Sequence, residues 1–544
     1  MHGSESIPNA PHSCSGDAPA WAQALIPRAI LLAACLASSA SAQSAPLPEE
    51  RTLYISEYRV SGATKLSNPA IEEAVYPYLG PGRSESDIEQ ARVALEKAFQ
   101  DNGYQTVSVN IPQQTGAGGV IYMEVSEGRV GRLRVKGSRY FLIDDIKKQV
   151  PSLAEGSVPN FNNVSREIVG LNQNPDRRVT PSLRPGAVPN TIDVDLAVED
   201  TLPLHGNFEL NNRYSANTTP LRLNGYLSYN NLWQLGHTLG FNFQIAPENI
   251  DDALIYGAYY IARTPEIPWL SLMVSGLRQN SNVSTLGGGA VAGNGEIVGA
   301  RLIATLPPLD NLYHSLSAGL DYKHFGQDLL LQNGDAVGTP ITYYPISIDY
   351  NAYIAGESYN TEITAGFVFA TRGAGSSGEE FDNRRYNADG GFLYFRGELA
   401  HTQNLPAGFQ VYGRLQGQLT GDSLVDSEQF AGGGLDTARG YLESEVLGDS
   451  GLFGTIEFIS PSAPGVFGID EWRAYAFTDA GFVTINNPLP EQQAQFNLAS
   501  IGGGTRIRLF KVLNGSLDVG VPLISQIYTP VGDVRLTFRA WVNF

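Results

Sequence analysis

The sequence predicts a transmembrane β-barrel of sixteen antiparallel strands over residues 204–544, preceded by two small α/β units. Three observations carry that expectation. The chain has 544 residues with 59 Gly and 26 Tyr, yet only 17% are charged. It also lacks any run near 18 uninterrupted apolar residues, so no helix beyond a leader is expected to cross a bilayer. A chain this aromatic and charge-poor hides its apolar residues by alternation, as a barrel does. From Leu204 onward, segments of 8–12 residues alternate in this way, with mostly longer connections after odd segments and mostly short ones after even segments.

The bulk numbers exclude several classes. So long a chain exceeds one ordinary core, and two or more domains are expected. Asp and Glu total 55 against 36 Lys and Arg, a formal charge of −19. A nucleic-acid binder carries a basic face to neutralise phosphates, so no nucleic-acid partner is expected. An acidic surface and lumen that keep an exported chain soluble before insertion account for the charge.

Arg28 precedes the apolar run Ala29-Ile-Leu-Leu-Ala-Ala-Cys-Leu-Ala and the small-residue site Ala40-Ser41-Ala42. This predicts a signal peptide over 1–42, with the mature chain beginning near Gln43. The long stretch before the run holds Glu5 and Asp17, which points to a start further downstream. Leu32-Ala33-Ala34-Cys35 imitates a lipoprotein cleavage box, but only six residues separate Arg28 from Cys35. An apolar core normally needs roughly 7–15. Cys14 and Cys35 both fall in this leader, so the mature chain is expected to have no disulfide, thiol catalyst or Cys-ligated metal. A cysteine-free chain also avoids mispairing in an oxidising compartment.

Residues 52–126 and 127–200 share one grammar, β-α-α-β-β. In the first unit, Leu53, Ile55, Tyr58 and Val60 read as one strand, and Asn68-Pro69 opens a helix. Ser84, with Glu85 and Asp87 behind it, caps a second helix whose Ile88, Ala91, Leu95, Ala98 and Phe99 form one apolar stripe. Strands are expected over 105–111 and 120–125. The second unit repeats the order, with Val130, Leu133 and Val135, helices at 143–150 and 160–171, and strands at 177–183 and 191–198. Such units serve as spacers, or offer open sheet edges to a passing extended chain.

The last segment shows the barrel logic best. Leu536, Phe538, Ala540, Val542 and Phe544 point one way, while Arg535, Thr537, Arg539 and Asn543 point the other. A charge facing lipid at mid-membrane costs roughly 2–4 kcal/mol, so both arginines are expected in the lumen. The terminal aromatic suits a closing strand anchored at the interface. The same rule predicts strands at 204–213, 221–230, 237–246, 253–263, 269–280, 295–306, 312–325 and 341–352. It continues at 361–371, 388–401, 408–419, 452–460, 472–480, 500–509, 515–521 and 534–544, with no convincing helix after Leu204. The even count places both barrel ends on one side.

The longest connection, 420–451, is unlike a surface loop. It holds Phe430-Ala-Gly-Gly-Gly-Leu-Asp-Thr-Ala-Arg439-Gly440-Tyr441, an Arg among apolar neighbours that needs an acidic partner if buried. Further on, Phe477, Asp479 and Gly481 share one strand face, and Asp479 assigns that face to the lumen. An inward-folding loop brings Arg439 to Asp479 as a bidentate pair. The alternative is two unrelated solvated charges.

These residues carry a resemblance. Phe430…Gly432-Gly433…Ala438-Arg439-Gly440-Tyr441 resembles the sixth-loop motif of outer-membrane assembly and secretion factors that have periplasmic POTRA domains. Phe477-x-Asp479-x-Gly481 resembles the partner motif on the wall of those barrels. Two POTRA-like units before sixteen strands, with this loop between the eleventh and twelfth, is similar to two-partner secretion transporters of the haemolysin secretion/activation type. Further matches are Asn174-Pro175-x-Arg177, Leu183-x-Pro185-Gly186, Val198-x-Asp200-x-x-Pro203, Asn231-Leu232-Trp233 and Gly520-Val521-Pro522-Leu523, so the similarity covers 52–544. One departure is mild, Ala438 where Val is usual. A second is that Gln43–Arg51 leaves no length for the plug helix of some relatives, so the inward loop is expected to be the main obstruction.

The resemblance implies a monomeric barrel in outer-membrane lipid with its N-terminal units in the periplasm. It implies export of a large secreted partner protein, an adhesin- or haemolysin-like exoprotein. The partner's extended N-terminal region docks on the POTRA-like units, and the chain passes through the lumen without ATP. The loop motif Arg439, Gly440 and Tyr441 then works with the wall motif Phe477, Asp479 and Gly481. The alternatives are an outer-membrane protein assembly factor of the same superfamily and a diffusion porin. Two units rather than a longer series favour secretion, and a porin needs neither the units nor the loop.

No enzyme, cofactor or metal is expected. Gly448-Asp449-Ser450-Gly451 imitates a serine-protease motif without the His and Asp that it needs. Of the seven histidines, two sit in the leader and the rest read as singletons near strand ends. The glycine triplets at 287–289, 432–434 and 502–504 lack the Lys-Ser/Thr of a phosphate loop and read as tight loops or close barrel packing.

Overall fold

A computed structural model describes residues 52–544 apart from 173, 265–266, 285–290, 327, 331–335 and 464–467. The expected leader, Cys14, Cys35, the 43–51 stretch and the triplet at 287–289 lie outside the described residues.

The first α/β unit comprises β1 (Leu53–Ile55), β2 (Glu57–Ser61), α1 (Asn68–Val75), β3 (Gly80–Arg83), α2 (Glu85–Asp101), β4 (Val107–Asn110) and β5 (Val120–Glu127). β5 lies between β2, to which it is parallel, and β4, to which it is antiparallel. The strand expected over 53–60 is broken at Ser56, whose amide donates 2.8 Å to the Gly119 carbonyl, and β1 pairs β3 instead. Nothing in Gly80-Pro-Gly-Arg83 reads as a strand former, so this pairing left no signal in the pattern. α2 begins as expected. Ser84 Oγ accepts from the Asp87 amide at 3.3 Å, and Asp87 Oδ2 accepts from the Ser84 amide at 2.8 Å. That second bond holds the Asp87 carboxyl below the ordinary carboxylate range. The α2 stripe of Ile88, Ala91, Leu95 and Phe99 is buried against Ile55, Val107, Val109, Ile121 and Met123.

The second unit repeats this plan with β6 (Arg129–Lys136), α3 (Ile143–Lys148), α4 (Phe161–Leu171), β7 (Arg177–Pro185) and β8 (Thr191–Asp200). Its sheet order is β6-β8-β7, with the last strand again central and parallel to the first. Asn160 caps α4 by accepting from the amides of Asn162 and Asn163 at 3.1 and 3.3 Å.

The remaining strands are β9 (Leu204–Asn211), β10 (Arg222–Leu232), β11 (His237–Ile245), β12 (Ala253–Thr264), β13 (Ile267–Ser284), β14 (Val291–Thr305) and β15 (Leu312–Gly326). The short hairpin β16 (Asp328–Leu330) and β17 (Ala336–Gly338) follows, then β18 (Ile341–Tyr343), β19 (Ile346–Ala355) and β20 (Tyr359–Ala370). After α5 (Gly378–Arg384) come β21 (Phe392–Asn404), β22 (Gln410–Thr420), the hairpin β23 (Phe430–Gly432) and β24 (Val446–Gly448), and β25 (Ser450–Ile459). β26 (Ile469–Thr484), β27 (Gln495–Leu509), β28 (Leu513–Pro522) and β29 (Arg535–Asn543) complete the chain. All but the two hairpins close into one antiparallel barrel, in which β18 and β19 both pair β15 and form one interrupted strand, giving sixteen wall positions. The interruption at Tyr344-Pro345 follows from proline, which has no amide to donate to the ladder; its carbonyl accepts from the Asp321 amide at 3.0 Å.

One expectation is corrected. A helix does occur after Leu204: α5, in the connection between β20 and β21. Ser377 and Glu380 form its capping box, the same Ser-x-x-acid signature that marked α2. At seven residues it is too short to show a periodic stripe.

The wall alternates as barrel physics requires. Leu239 and Phe241 on β11, Leu316 and Leu320 on β15, and Leu415 and Leu419 on β22 are exposed outward. Asn242 and Gln244, Ser317, and Gln418 take the opposite, buried face. Three histidines pair with tyrosines of the neighbouring strand. His237 bonds Tyr260, His314 Nδ1 lies 3.1 Å from Tyr350 Oη, and His401 stacks on Tyr359, all on the outward parity near the short turns. His314 Nε2 lies 3.1 Å from the Pro307 carbonyl, which can only accept, so Nδ1 accepts the Tyr350 proton.

Closure joins β29 to β9 through five residue pairs, Arg539↔Asn211 to Asn543↔Asn207. Asn212 extends the ladder with its side-chain amide, accepting from Phe538 N at 2.7 Å and donating to Leu536 O at 2.8 Å. Across the seam Arg539 makes a two-point pair with Glu209, at 3.0 and 2.6 Å.

Candidate functional site

The connection between β22 and β25 lies buried along most of its length, and its hairpin β23–β24 packs on the wall. Phe430, Ala438, Tyr441 and Val446 of the loop meet Phe453, Val483 and Leu498 of β25, β26 and β27. A segment of this kind stays inside because its apolar residues find a wall there and its charges find partners.

Arg439 is the central charge. Its backbone amide donates to Asp479 Oδ2 at 3.0 Å, Nε to the same oxygen at 2.8 Å, and Nη2 to Oδ1 at 2.7 Å. Nη1 donates to Glu457 on β25, and the guanidinium stacks 3.5 Å from the Phe477 ring centre. Arg439 is 5% exposed and Asp479 1%, so little solvent screens the pair. The fork-to-fork geometry is one that only Arg supplies.

The surroundings extend the network. Arg506 on β27 donates to Glu457 at 2.9 Å and stacks on Tyr475, whose hydroxyl donates to Asp518 on β28 at 2.6 Å. Asp518 lies 3.8 Å from Arg439. Two arginines therefore face three carboxylates across four neighbouring strands.

Gly440 has φ +95°, and a Cβ there would lie 3.1 Å from the Gly520 carbonyl carbon and 3.3 Å from the Val521 and Pro522 nitrogens. Loop and wall backbones touch at this point, which only glycine permits. Tyr441 reaches past it, its hydroxyl 2.7 Å from the Ile524 carbonyl and 3.0 Å from that of Ala499. Gly481 lies under the Phe453 ring, and a Cβ there would meet the Leu452 carbonyl at 2.3 Å. Of the triplet 502–504, Gly502 makes room for the Phe477 ring and Gly504 for Tyr475. The structure thus brings Arg439, Phe477 and Asp479 into direct contact, seats Gly440 and Tyr441 on β27, β28 and the segment after it, and places Gly481 one wall layer away.

Sequence reasoning missed several participants. Glu457, Arg506 and Asp518 are lumen-facing by the same parity that identified Asp479, so the signal existed but pointed to no partner. Arg213 bonds Glu443 at 2.8 Å and Asp436 at 2.5 Å, tying the loop to the start of the barrel. Asp449, in the protease-like Gly448-Asp449-Ser450, accepts from the amides of Leu424 and Asn486 at 2.8 and 2.6 Å and closes the root of the loop. Among the described residues no group of three or more His, Cys, Asp or Glu is arranged to hold a metal ion.

Comparison with known proteins places this architecture. Residues 53–128 match the POTRA domain, ShlB-type, and residues 190–507 match the haemolysin secretion/activation protein ShlB/FhaC/HecB. The outer membrane transporter CdiB of Escherichia coli O6:K15:H31 is 24% identical over 513 residues, covering 90% of this chain and 82% of the relative. Solved structures share the fold. CdiB from Escherichia coli has a TM-score of 0.61 at 19% identity, covering 93% of both chains. CdiB from Acinetobacter baumannii has 0.57 at 15%, covering 92% of this chain and 91% of that one. BamA from Haemophilus ducreyi lacking POTRA domains 1–3 has 0.55 at 14%, covering 90% and 100%. With more than half of its length matched by one family model, and with POTRA-type units ahead of a closed sixteen-stranded barrel, the chain belongs to the haemolysin secretion/activation family ShlB/FhaC/HecB, the outer-membrane transporters of two-partner secretion that export a partner exoprotein.

Proposed function

We propose that this transporter is a guarded conduit in which the 420–451 loop obstructs the lumen and Arg439 with Asp479 sets its closed position. The observation that carries this is the four-point grip of Arg439 on Asp479 and Glu457 at a place water barely reaches. Gly440 and Tyr441 seat the loop backbone, Phe477 stacks on the guanidinium, and Gly481 keeps the wall flat beneath it. The division of labour follows the chain: a leader over 1–42, POTRA-type units over 52–126 and 127–200, and the conduit over 204–544.

The exoprotein's extended N-terminal segment docks by adding a strand to an open edge of the first unit. β2 and β4 each have one neighbour in its sheet, which leaves each an outer edge for pairing, although on β4 the Val109 carbonyl already accepts from Arg92 at 3.2 Å. The chain then passes the lumen and folds outside. The protein acts as a transporter and not as an enzyme; the bonds that Asp449 makes to loop amides give the protease-like motif a structural role.

Charge reversal tests the pairing. Arg439→Glu and Asp479→Arg should each abolish appearance of the exoprotein in the medium, and the double reversal should restore part of it. No recovery in the double variant, with the barrel still folded, refutes the pairing.

A further inference from the structure

Loop 420–451 is held at a second place, on a different stretch of the wall from Asp479. Glu428, on the incoming limb, is 1% exposed. Lys323 of β15 donates to it at 2.6 Å, the Tyr343 hydroxyl of β18 at 2.6 Å, and the Tyr394 hydroxyl of β21 at 2.8 Å. Phe325, Phe392, Leu424 and Val425 enclose these groups, together with Phe381 of α5. The same helix ends in Arg384, which grips Asp426 at 3.0 and 3.1 Å, two residues before Glu428.

We propose that Glu428 is a second positioning residue of the loop, and that its latch to Lys323, Tyr343 and Tyr394 is the one that opens when the lumen is cleared. The proposal rests on the loop being the obstruction. The two anchors differ in what they leave behind. Withdrawing Arg439 strands Asp479, Glu457 and Asp518 on the wall with Arg506 as their one remaining cation among the described residues, and it must also pull the Gly440 backbone off Gly520. Uncompensated carboxylates in a dry site are strongly unfavourable. Withdrawing Glu428 strands no anion on the wall, provided that α5, whose buried Arg384 grips Asp426, moves with the limb. It leaves two phenols and one flexible ammonium that can turn toward lumen water, while the carboxylate itself becomes hydrated. The limb therefore swings from β15, β18 and β21 about the fixed Arg439 anchor.

Ion current through the full-length protein in planar bilayers, in potassium chloride, reads this directly. Lys323→Met and Glu428→Gln should each raise the fraction of time open several-fold. The double substitution, which removes both buried charges and leaves an amide on the phenols, should be less open than Lys323→Met alone. Heat-modifiable gel migration confirms a folded barrel in each case. If Lys323→Met does not fold, Glu428→Gln and a tethered pair decide. Lys323→Cys/Glu428→Cys joined by a short reducible dithiol linker should stay closed until reductant restores opening. Unchanged current in the single variants, or a linked protein that opens as freely as the reduced one, overturns the latch. Arg439→Glu in the same bilayers separates the two ideas. If it raises the current and the Glu428 and Lys323 variants do not, the latch alone is wrong; if none of the three raises it, the loop is not the obstruction.

Discussion

Arg439 uses its whole guanidinium and its own amide on carboxylates that solvent barely reaches, so the residues beside it tolerate little change. Gly440→Ala places a methyl at positive φ against the Gly520 backbone. We expect about 1–3 kcal/mol lost from loop seating, read as more frequent channel opening with a folded barrel; unchanged opening contradicts the close approach. Tyr441→Phe removes the donor to the Ile524 and Ala499 carbonyls, and we expect about 1–2 kcal/mol in the same assay. Arg439 and Asp479 were legible in the sequence because a charge in an apolar setting demands a partner and parity assigned Asp479 to the lumen. Glu428 was not. Ser427-Glu428-Gln429 reads as ordinary polar loop, and its cation lies 105 residues earlier, on a strand where Lys323 looks like any lumenal residue.

At the scale of elements, α2 and α5 show what a short signature can and cannot do. Ser84 and Asp87 announce α2, and its stripe confirms the face that packs. Leu95 is fully buried there, so Leu95→Ala should lower the stability of the first unit by about 2–5 kcal/mol, measurable as an earlier urea transition in the full-length protein. Because the Asp87 carboxyl is held below its ordinary range, its share of the cap is complete above about pH 4 and is lost as pH falls further. Hydrogen exchange at the first turn of α2 should quicken on that side and stay flat at neutral pH. α5 carries the same Ser-x-x-acid signature, but barely two turns offer no periodicity, and its role depends on contacts with Asp426. The break between β18 and β19 had its cause in view, since Pro345 cannot donate, though alternation ran straight through it. The paired histidines were invisible because His237 and Tyr260, or His314 and Tyr350, meet only through strand register.

For the molecule as a whole, the apolar residues face outward and the ladder must close on itself. Leu415 faces outward at the middle of β22, so Leu415→Arg should cost roughly 2–4 kcal/mol and lower the temperature at which the folded gel band converts. The seam offers a second test. Arg539→Ala leaves Glu209 buried beside a five-pair junction. We expect about 2–3 kcal/mol, less than a fully buried pair because Arg539 is partly exposed, and band conversion at wild-type temperature would show that the pair does not support closure. The sequence by itself determined the strand count, the two repeated units, the lipid and lumen faces and the loop that turns inward, because each follows from a period of two or from the high cost of a charge in oil. Only the tertiary structure decided which lumenal charges meet. Closure wraps strands hundreds of residues apart around one loop, and the resulting contacts, Arg213 with Glu443, Lys323 with Glu428 and Arg506 with Glu457, depend on curvature and register that no local pattern encodes.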